Sequence, residues 1–539
     1  MKHDSSQKIS DITGTANRFP SESRDAKPVQ FSVDGESIQT TLLYELVYQK
    51  TQFDIAETAK KKMQISRDYI EKEIADQKVM YGVNTGFGAF SSVQISKDQI
   101  QQLQINLIRS HSAGIGEPFA YEQAKAMMIL RANTLARGHS GVRIAVVEKI
   151  LEFLNADLIP VIPSQGSVGA SGDLAPLSHL ALALIGEGYC FGPELKKTAT
   201  AVLLKEKNIQ PLVLKEKEGL SLINGCQVMT AIGLLALYEA RLLCLLADFA
   251  GAMSLEALRG SRKAFDPLIA PTRPHHGESK TAANLRLILK NESEISKSHL
   301  NCHRVQDAYS LRCMPAVHGA VKDTLVYVQH VLETEANSST DNPLVFAEEK
   351  QIISCGNFHG MPVAFAMDFA GIATASLASM SEARISKLIN PAMSDLPAFL
   401  ATNGGLQSGM MIVQVAAASL VSENKVLCHP ASCDTIPTSA DKEDHVSMGT
   451  IAARKFRSIL ENSKNVVAME VLCAAQGLDL LRPLTSSAHI EKFHQLLRED
   501  VPFAKEDRVF SEDIEKVKAF LFSEKAIQFL IRELPALSF

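Results

Sequence analysis

The 539-residue chain has no basic excess: 55 Lys and Arg stand against 60 Asp and Glu, for a formal net charge of −5. That excludes a generic polyanion binder, because no surplus cation is left to neutralise nucleic-acid phosphates. Its nine cysteines include no C-x-x-C pair, which argues against a disulfide framework and for reduced thiols in a cytoplasmic compartment. Residues 1–40 hold no apolar stretch of secretory-leader type, so they are expected to form a polar arm. The longest charge-free stretch, Leu396 to Ser422, is broken by Asn403, Gly404, Gly405, Gln407 and Gln414. It lacks the apolar continuity of a bilayer span and reads as a loop followed by a buried helix.

Nucleotide and metal signatures are missing too. The glycines of YGVNTGFG (81–88) do not fit G-x-G-x-x-G, and GSVGASG lacks the G-K-[ST] ending of a phosphate loop. There is no HExxH, and His275-His276 and Cys302-His303 each lack a second pair, so no metal is expected. His429 and Cys433 flank a turn and read as structural.

What is present is a soluble, largely helical chain. Hydrophobic residues are 46% and charged ones 21%, and at ~150 residues per domain the length suggests three to four units. Helical periodicity dominates. Ser96 and Gln99 have the spacing of a capping box, followed by an Ile100, Leu103, Leu107 face, and Gly114 falls past the expected end. Val228 to Leu258 is apolar nearly all round, which predicts a helix buried on several sides, inside a bundle or at a subunit interface. Ala364 to Arg384 and Met410 to Ser422 are similar and rich in small residues, so a dense bundle of long helices follows. Strand-like alternation is confined to Ile352–Ser354 and pieces near Val83–Val93. These observations predict an all-α fold: a polar arm over 1–40, a loop-rich N-terminal domain over 41–230, and a long-helix bundle over 231–539.

The segment Gln165 to Leu174, QGSVGASGDL, carries the most chemistry. One reading is a tight turn before a helix, with Asp173 near the helix N-terminus. The other is cyclisation of Ala170-Ser171-Gly172. If the Gly172 nitrogen attacks the Ala170 carbonyl and two waters leave, Ser171 becomes a dehydroalanine within an imidazolone ring. Glycine permits the close approach, alanine offers an unhindered carbonyl, and serine supplies the hydroxyl to eliminate. The product is an electrophilic methylidene carbon that no unmodified side chain provides.

The block GSVGASGDLAPLSHLAL resembles the signature of the histidine/phenylalanine/tyrosine ammonia-lyase family. Further blocks of that family recur in order: YGVNTGFG (81–88), LINGCQ (222–227), VQDAYSLRC (305–313), NSSTDNPLVF (337–346), GNFHG (356–360) and PTSADKEDHVSMG (437–449). The resemblance implies an all-α protein of the ammonia-lyase/fumarase kind. It also implies a homotetramer in which three subunits build each active site, with no nucleic-acid or membrane partner. The implied cofactor is an autocatalytic methylidene-imidazolone from Ala170-Ser171-Gly172, with no external cofactor.

By the same resemblance, Tyr81 matches the base that takes the β-proton; taken alone, it could as well pack a turn. Gln306, Tyr309 and Arg312 are spaced by three on an expected helix and would otherwise be a solvated face. The family implies that Arg312 clamps the substrate carboxylate, Gln306 and Asn224 add hydrogen bonds, and Tyr309 sits by the ring. Phe358 would enclose the substrate, or else be a plain core residue. His111 shares a helix face with Leu107 and could be a satisfied core histidine. In the family, however, Ser110-His111 occupies the selectivity position, where histidine enzymes read Ser-His. Glu443 matches their acidic residue. An imidazole presents a donor and an acceptor, so a histidine and a carboxylate suit it, and L-histidine, converted to urocanate, is the implied substrate. Tyrosine or phenylalanine lyases and aminomutases of the same family are the alternatives, and an inert helical scaffold is the alternative from another class. Cys226 stands where the family usually has Thr, and Lys442 could pair with Glu443.

Overall fold

Apolar residues at helical spacing need partners, and the chain supplies them to itself. The computed structural model describes residues 8–9, 28–76, 78, 80, 83, 85, 95–96, 99–300 and 305–539. The longest apolar stretch forms the helix Gln227–Ala257, and all of its residues are buried. It packs against Met314–Ala336, Met361–Leu388 and Gly449–Leu480, and the last two run along each other. Gln227–Ala257 and Met361–Leu388 are long and apolar enough to cross a membrane by length and composition alone. The first, however, is enclosed on every side by protein, as the all-round apolar pattern predicts.

Inside the bundle, charges occur in satisfied sets. Asp248 accepts from Lys322 Nζ at 2.5 Å and from His318 Nδ1 at 2.9 Å. Glu470 takes Arg384 Nε at 2.5 Å and Nη2 at 2.9 Å. Leaving one member of such a set unpaired costs about 3–5 kcal/mol, so these groups fix which helix faces meet.

Strands are few and short. Val29–Val33 pairs in parallel with Thr51–Ile55, and three antiparallel ribbons join Ile115–Pro118 to Pro163–Gln165, Tyr189–Phe191 to Lys197–Ala199, and Leu344–Phe346 to Gln351–Ile353. The last includes the expected Ile352 strand, with Leu344 opposite Ile353. Most of the Val83–Val93 stretch lies outside the described residues.

Several local expectations need correction. The first periodic helix starts at Ile100 with Gln99 as its cap. Ser96 is not the cap, because its hydroxyl is spent on the Gln99 side chain at 3.1 Å. The 306–312 helix is shorter than its spacing suggests. It spans Tyr309–Arg312 and leaves Gln306 in a bend. Asp307 holds the Ser261 backbone N–H at 2.6 Å, and an Asp engaged in this way favours the cap over the helix interior. The helix Met411–Leu427, expected to be buried in a bundle or at a subunit interface, is only partly covered within its own chain. Only Val413, Ala417 and Asn424 are covered, while Ile412 and Val415 are exposed because its neighbours Met361–Leu388 and Gly449–Leu480 cover one side only.

Candidate active site

The Ala170-Ser171-Gly172 turn immediately precedes the helix Leu174–Leu184 and is pinned by its backbone. Gly172 has φ +70°, a left-handed conformation that glycine adopts without strain. It pairs with Gly225, and the Asp173 N–H donates to the Gly225 carbonyl at 2.7 Å. A Cβ on Gly172 would overlap that carbonyl. The Val168 carbonyl accepts from the Met448 N–H at 2.8 Å, and the Gly169 carbonyl from Ser447 Oγ at 3.1 Å. Two other segments, at Gly225 and at Ser447–Met448, therefore hold the turn, and residue 172 has no room for a Cβ.

Asp173 stands at the start of its own helix, as expected, but its carboxylate caps another. It accepts the Val228 and Met229 backbone N–H groups, each at 3.0 Å, at the N-terminus of Gln227–Ala257. It also takes the Ser167 and Thr450 hydroxyls. Burial pushes its pKa up to about 6, against these hydrogen bonds, which favour the charged form. Sequence reasoning missed this role; nothing local says which helix a buried Asp will serve.

Ser171 Oγ donates to Glu443 Oε1 at 3.0 Å. Glu443 is in turn held by Thr438 Oγ1 at 2.7 Å and Ser439 Oγ at 2.9 Å, both on Oε2. The anticipated Lys442–Glu443 ion pair is absent among the described residues: Lys442 is exposed, and hydroxyls take the carboxylate instead.

His111 ends the helix Ile100–His111, with Nδ1 2.9 Å from the Leu107 carbonyl and 3.1 Å from Ser110 Oγ. A carbonyl only accepts, so Nδ1 carries the proton and Nε2 is left as an acceptor. Burial lowers the His111 pKa, while the Leu107 carbonyl and the Glu443 charge pull it back up. Ser171 and Glu443 thus meet although far apart in sequence, and the Glu443 charge is felt at His111.

Asn224 ends the helix Glu218–Ile223 beside Gly225. A buried network lies behind it: Asp341 accepts from Asn224 Nδ2, Lys217 Nζ and Ser221 Oγ, and Arg131 donates to the Asn224 carbonyl. Neither Lys217 nor Asp341 was anticipated. Phe358 is half-buried, and its carbonyl accepts from Cys226 Sγ at 3.0 Å. The next residue, His359, reaches the His445 carbonyl at 3.1 Å, tying the GNFHG turn to the Glu443 loop.

Two groups of expected residues stand apart. Tyr81 lies outside the described residues. Among the described residues, no hydrogen bond or ring contact joins Gln306, Tyr309 or Arg312 to Ser171 or Glu443. The Arg312 guanidinium instead lies 4.4 Å from the centre of the Tyr309 ring, and its Nε donates to the Asp307 carbonyl at 3.1 Å. Tyr309 is 71% exposed.

Residues 38–499 match the aromatic amino acid lyase family. The chain belongs to that family. It is 47% identical over 488 residues to a histidine ammonia-lyase of Caenorhabditis elegans, a match covering 90% of this chain and 72% of that protein. To a histidine ammonia-lyase of Alkaliphilus oremlandii it is 46% identical, with 92% of this chain and 97% of that protein covered. The crystal structure of histidine ammonia-lyase from Trypanosoma cruzi superposes with a TM-score of 0.87 at 44% identity, covering 94% of this chain and 96% of that one. Tyrosine aminomutase from Streptomyces globisporus superposes with a TM-score of 0.88 at 39% identity, covering 94% and 99%. The all-α lyase fold and a carbon–nitrogen lyase activity follow for this member of the family.

Proposed function

We propose that the chain eliminates ammonia from L-histidine to give urocanate, at a site centred on Ser171 and faced by His111 and Glu443. The observation that carries this reading is the position of the Glu443 carboxylate, 3.0 Å from the Ser171 side chain, with its charge acting on His111. It sets a carboxylate and an imidazole acceptor against the reacting position, and these suit a ring with N–H groups. A phenyl side chain would leave both without partners, at about 1–3 kcal/mol each. Tyrosine, phenylalanine and aminomutase outcomes are less well matched to that pair.

The methylidene-imidazolone implied at Ala170-Ser171-Gly172 supplies an electrophilic carbon when formed. The chain's own residues do the rest. Glu443 and Nε2 of His111 orient the imidazole. Tyr81 takes the β-proton, a task for which a phenol of ordinary pKa near 10 needs nearby positive charge or dipoles. Arg312 clamps the carboxylate through its guanidinium fork, Gln306 adds a hydrogen bond, and Phe358 closes the pocket against water. Tyr309 lies beside the ring.

That Tyr309 and Arg312 make no hydrogen bond or ring contact with Ser171 or Glu443 among the described residues, while Tyr309 is exposed, supports their completing the site of another copy. A homotetramer with shared sites is therefore part of this reading. So are two domains meeting near residue 230, a cytoplasmic location, and no nucleic-acid, membrane or external cofactor requirement. Purified protein incubated separately with L-histidine, L-tyrosine and L-phenylalanine tests it. Near-ultraviolet absorbance of urocanate from histidine alone is expected. Turnover of tyrosine or phenylalanine with none of histidine would overturn the substrate assignment. An intact mass without the loss of two waters, about 36 Da, together with no turnover, would leave an inert scaffold.

A further inference from the structure

Asn224 is 2% exposed, and its two amide atoms fare differently. Nδ2 donates to Asp341 Oδ1 at 3.1 Å. Oδ1 is buried and has no hydrogen-bond partner among the described residues. The next residue, Gly225, lies against Gly172, so Asn224 adjoins the residue that touches the reacting tripeptide.

Asp341 decides which way the amide points. It is fully buried, and its Oδ2 accepts from Lys217 Nζ and Ser221 Oγ, each at 2.9 Å. Its Oδ1 also takes the Asn342 N–H at 2.7 Å. Burial opposes its ionisation, but Lys217 and Arg131 beside it keep the carboxyl below the usual range. An ionised carboxylate only accepts, so the Asn224 nitrogen must face it and the Asn224 oxygen must face away. A buried acceptor without a donor is unfavourable, and an unfilled one beside a reacting centre marks a place for a ligand donor.

We propose that Asp341, charge-paired with Lys217, is a positioning residue that turns Asn224 so that its Oδ1 accepts an N–H of the bound amino acid, from the ammonium group. A carboxylate would be repelled there and is left to a cation. This deepens the assignment of the chain as a lyase acting on an amino acid, and it narrows the role of Asn224 from a general hydrogen-bonding residue to an acceptor for the amine.

A reciprocal swap tests it. Asp341→Asn keeps the shape: with its carbonyl turned to Lys217 and Ser221 it shows an N–H to residue 224 and gives up the bond from the Asn342 N–H. Asn224 must then turn its own oxygen inward and point N–H groups at the substrate. The kcat/KM for histidine is expected to fall about tenfold or more, while circular dichroism and the mass signature of ring closure stay unchanged. Asn224→Asp alone sets two carboxylates face to face and is also expected to lose activity. The double variant Asn224→Asp/Asp341→Asn again places an acceptor toward the substrate, so it is expected to exceed either single variant. A folded Asp341→Asn with full kcat/KM overturns the proposal, as does a double variant no more active than Asn224→Asp. Should Asp341→Asn fail to fold, the comparison of Asn224→Asp with the double variant decides alone. Wild-type turnover of histidine, read in the same assay, separates failure of this inference from failure of the functional assignment.

Discussion

Ser171 and Glu443 sit 272 positions apart in the chain, yet their side chains meet at 3.0 Å. The contact joins two loops that different helices present. The Ser171 turn leads into Leu174–Leu184, and the Glu443 loop leads into Gly449–Leu480. Two further bonds, Met448 N–H to the Val168 carbonyl and Ser447 Oγ to the Gly169 carbonyl, lock the loops together. The geometry at Ser171 is therefore set by the bundle and not by the turn alone.

Glu443→Gln should test what the charge does. The amide keeps the size of the side chain and accepts from Thr438 and Ser439, but it loses the second charged oxygen facing Ser171. A hydrogen bond to a charged group contributes about 1.5–3 kcal/mol, so kcat/KM for histidine should fall about ten- to a hundredfold. Turnover of tyrosine, measured alongside, should fall less or rise. An unchanged ratio of the two substrates would show that Glu443 does not select the ring.

The pH behaviour of His111 follows from its surroundings. Burial depresses its pKa below the ordinary 6.5, so between its folded value and 6.5 the native state binds fewer protons than the unfolded chain. Stability from this group is therefore complete above 6.5 and is lost as pH falls through the folded value. The acid limb of kcat/KM attributable to His111 should likewise lie below 6.5, because the neutral ring with a free Nε2 is the acceptor. His111→Gln should remove that limb. A limb that persists unmoved in His111→Gln would assign it to another group.

The legible parts of the site were those written in adjacent residues. Ala170-Ser171-Gly172 is three small residues in a row, and Gly172 occupies the left-handed region its type suggests. The Val228–Leu258 helix was equally plain, since an apolar surface on all sides has only one stable setting. Asp173, Lys217 and Asp341 were not legible in their roles. A buried charge is satisfied by whatever the folded chain brings to it, and Asp173 serves the helix that begins at Gln227, beyond its own. The overlong helix expected at 306–312 failed for a related reason. Spacing by three describes a helical face, but Asp307 had a tertiary partner in Ser261 that outweighed local preference.

Gly172→Ala separates the backbone requirement from the chemistry of Ser171. Alanine retains a nitrogen able to attack the Ala170 carbonyl, so nothing essential to ring closure is removed in principle. The added Cβ, however, would overlap the Gly225 carbonyl, and φ +70° is unfavourable for any residue that carries one. The turn must therefore open and release both the Asp173 N–H to Gly225 bond and the approach of residue 172 to Ala170. Intact-mass measurement should show no loss of two waters, and activity should fall by orders of magnitude. The bundle, which touches the turn only at the N-terminal end of Gln227–Ala257 and is otherwise held by its own helix–helix packing, should keep its helical circular dichroism. Normal ring closure in Gly172→Ala would mean that the tight turn is a consequence of the sequence and not a condition for its reaction.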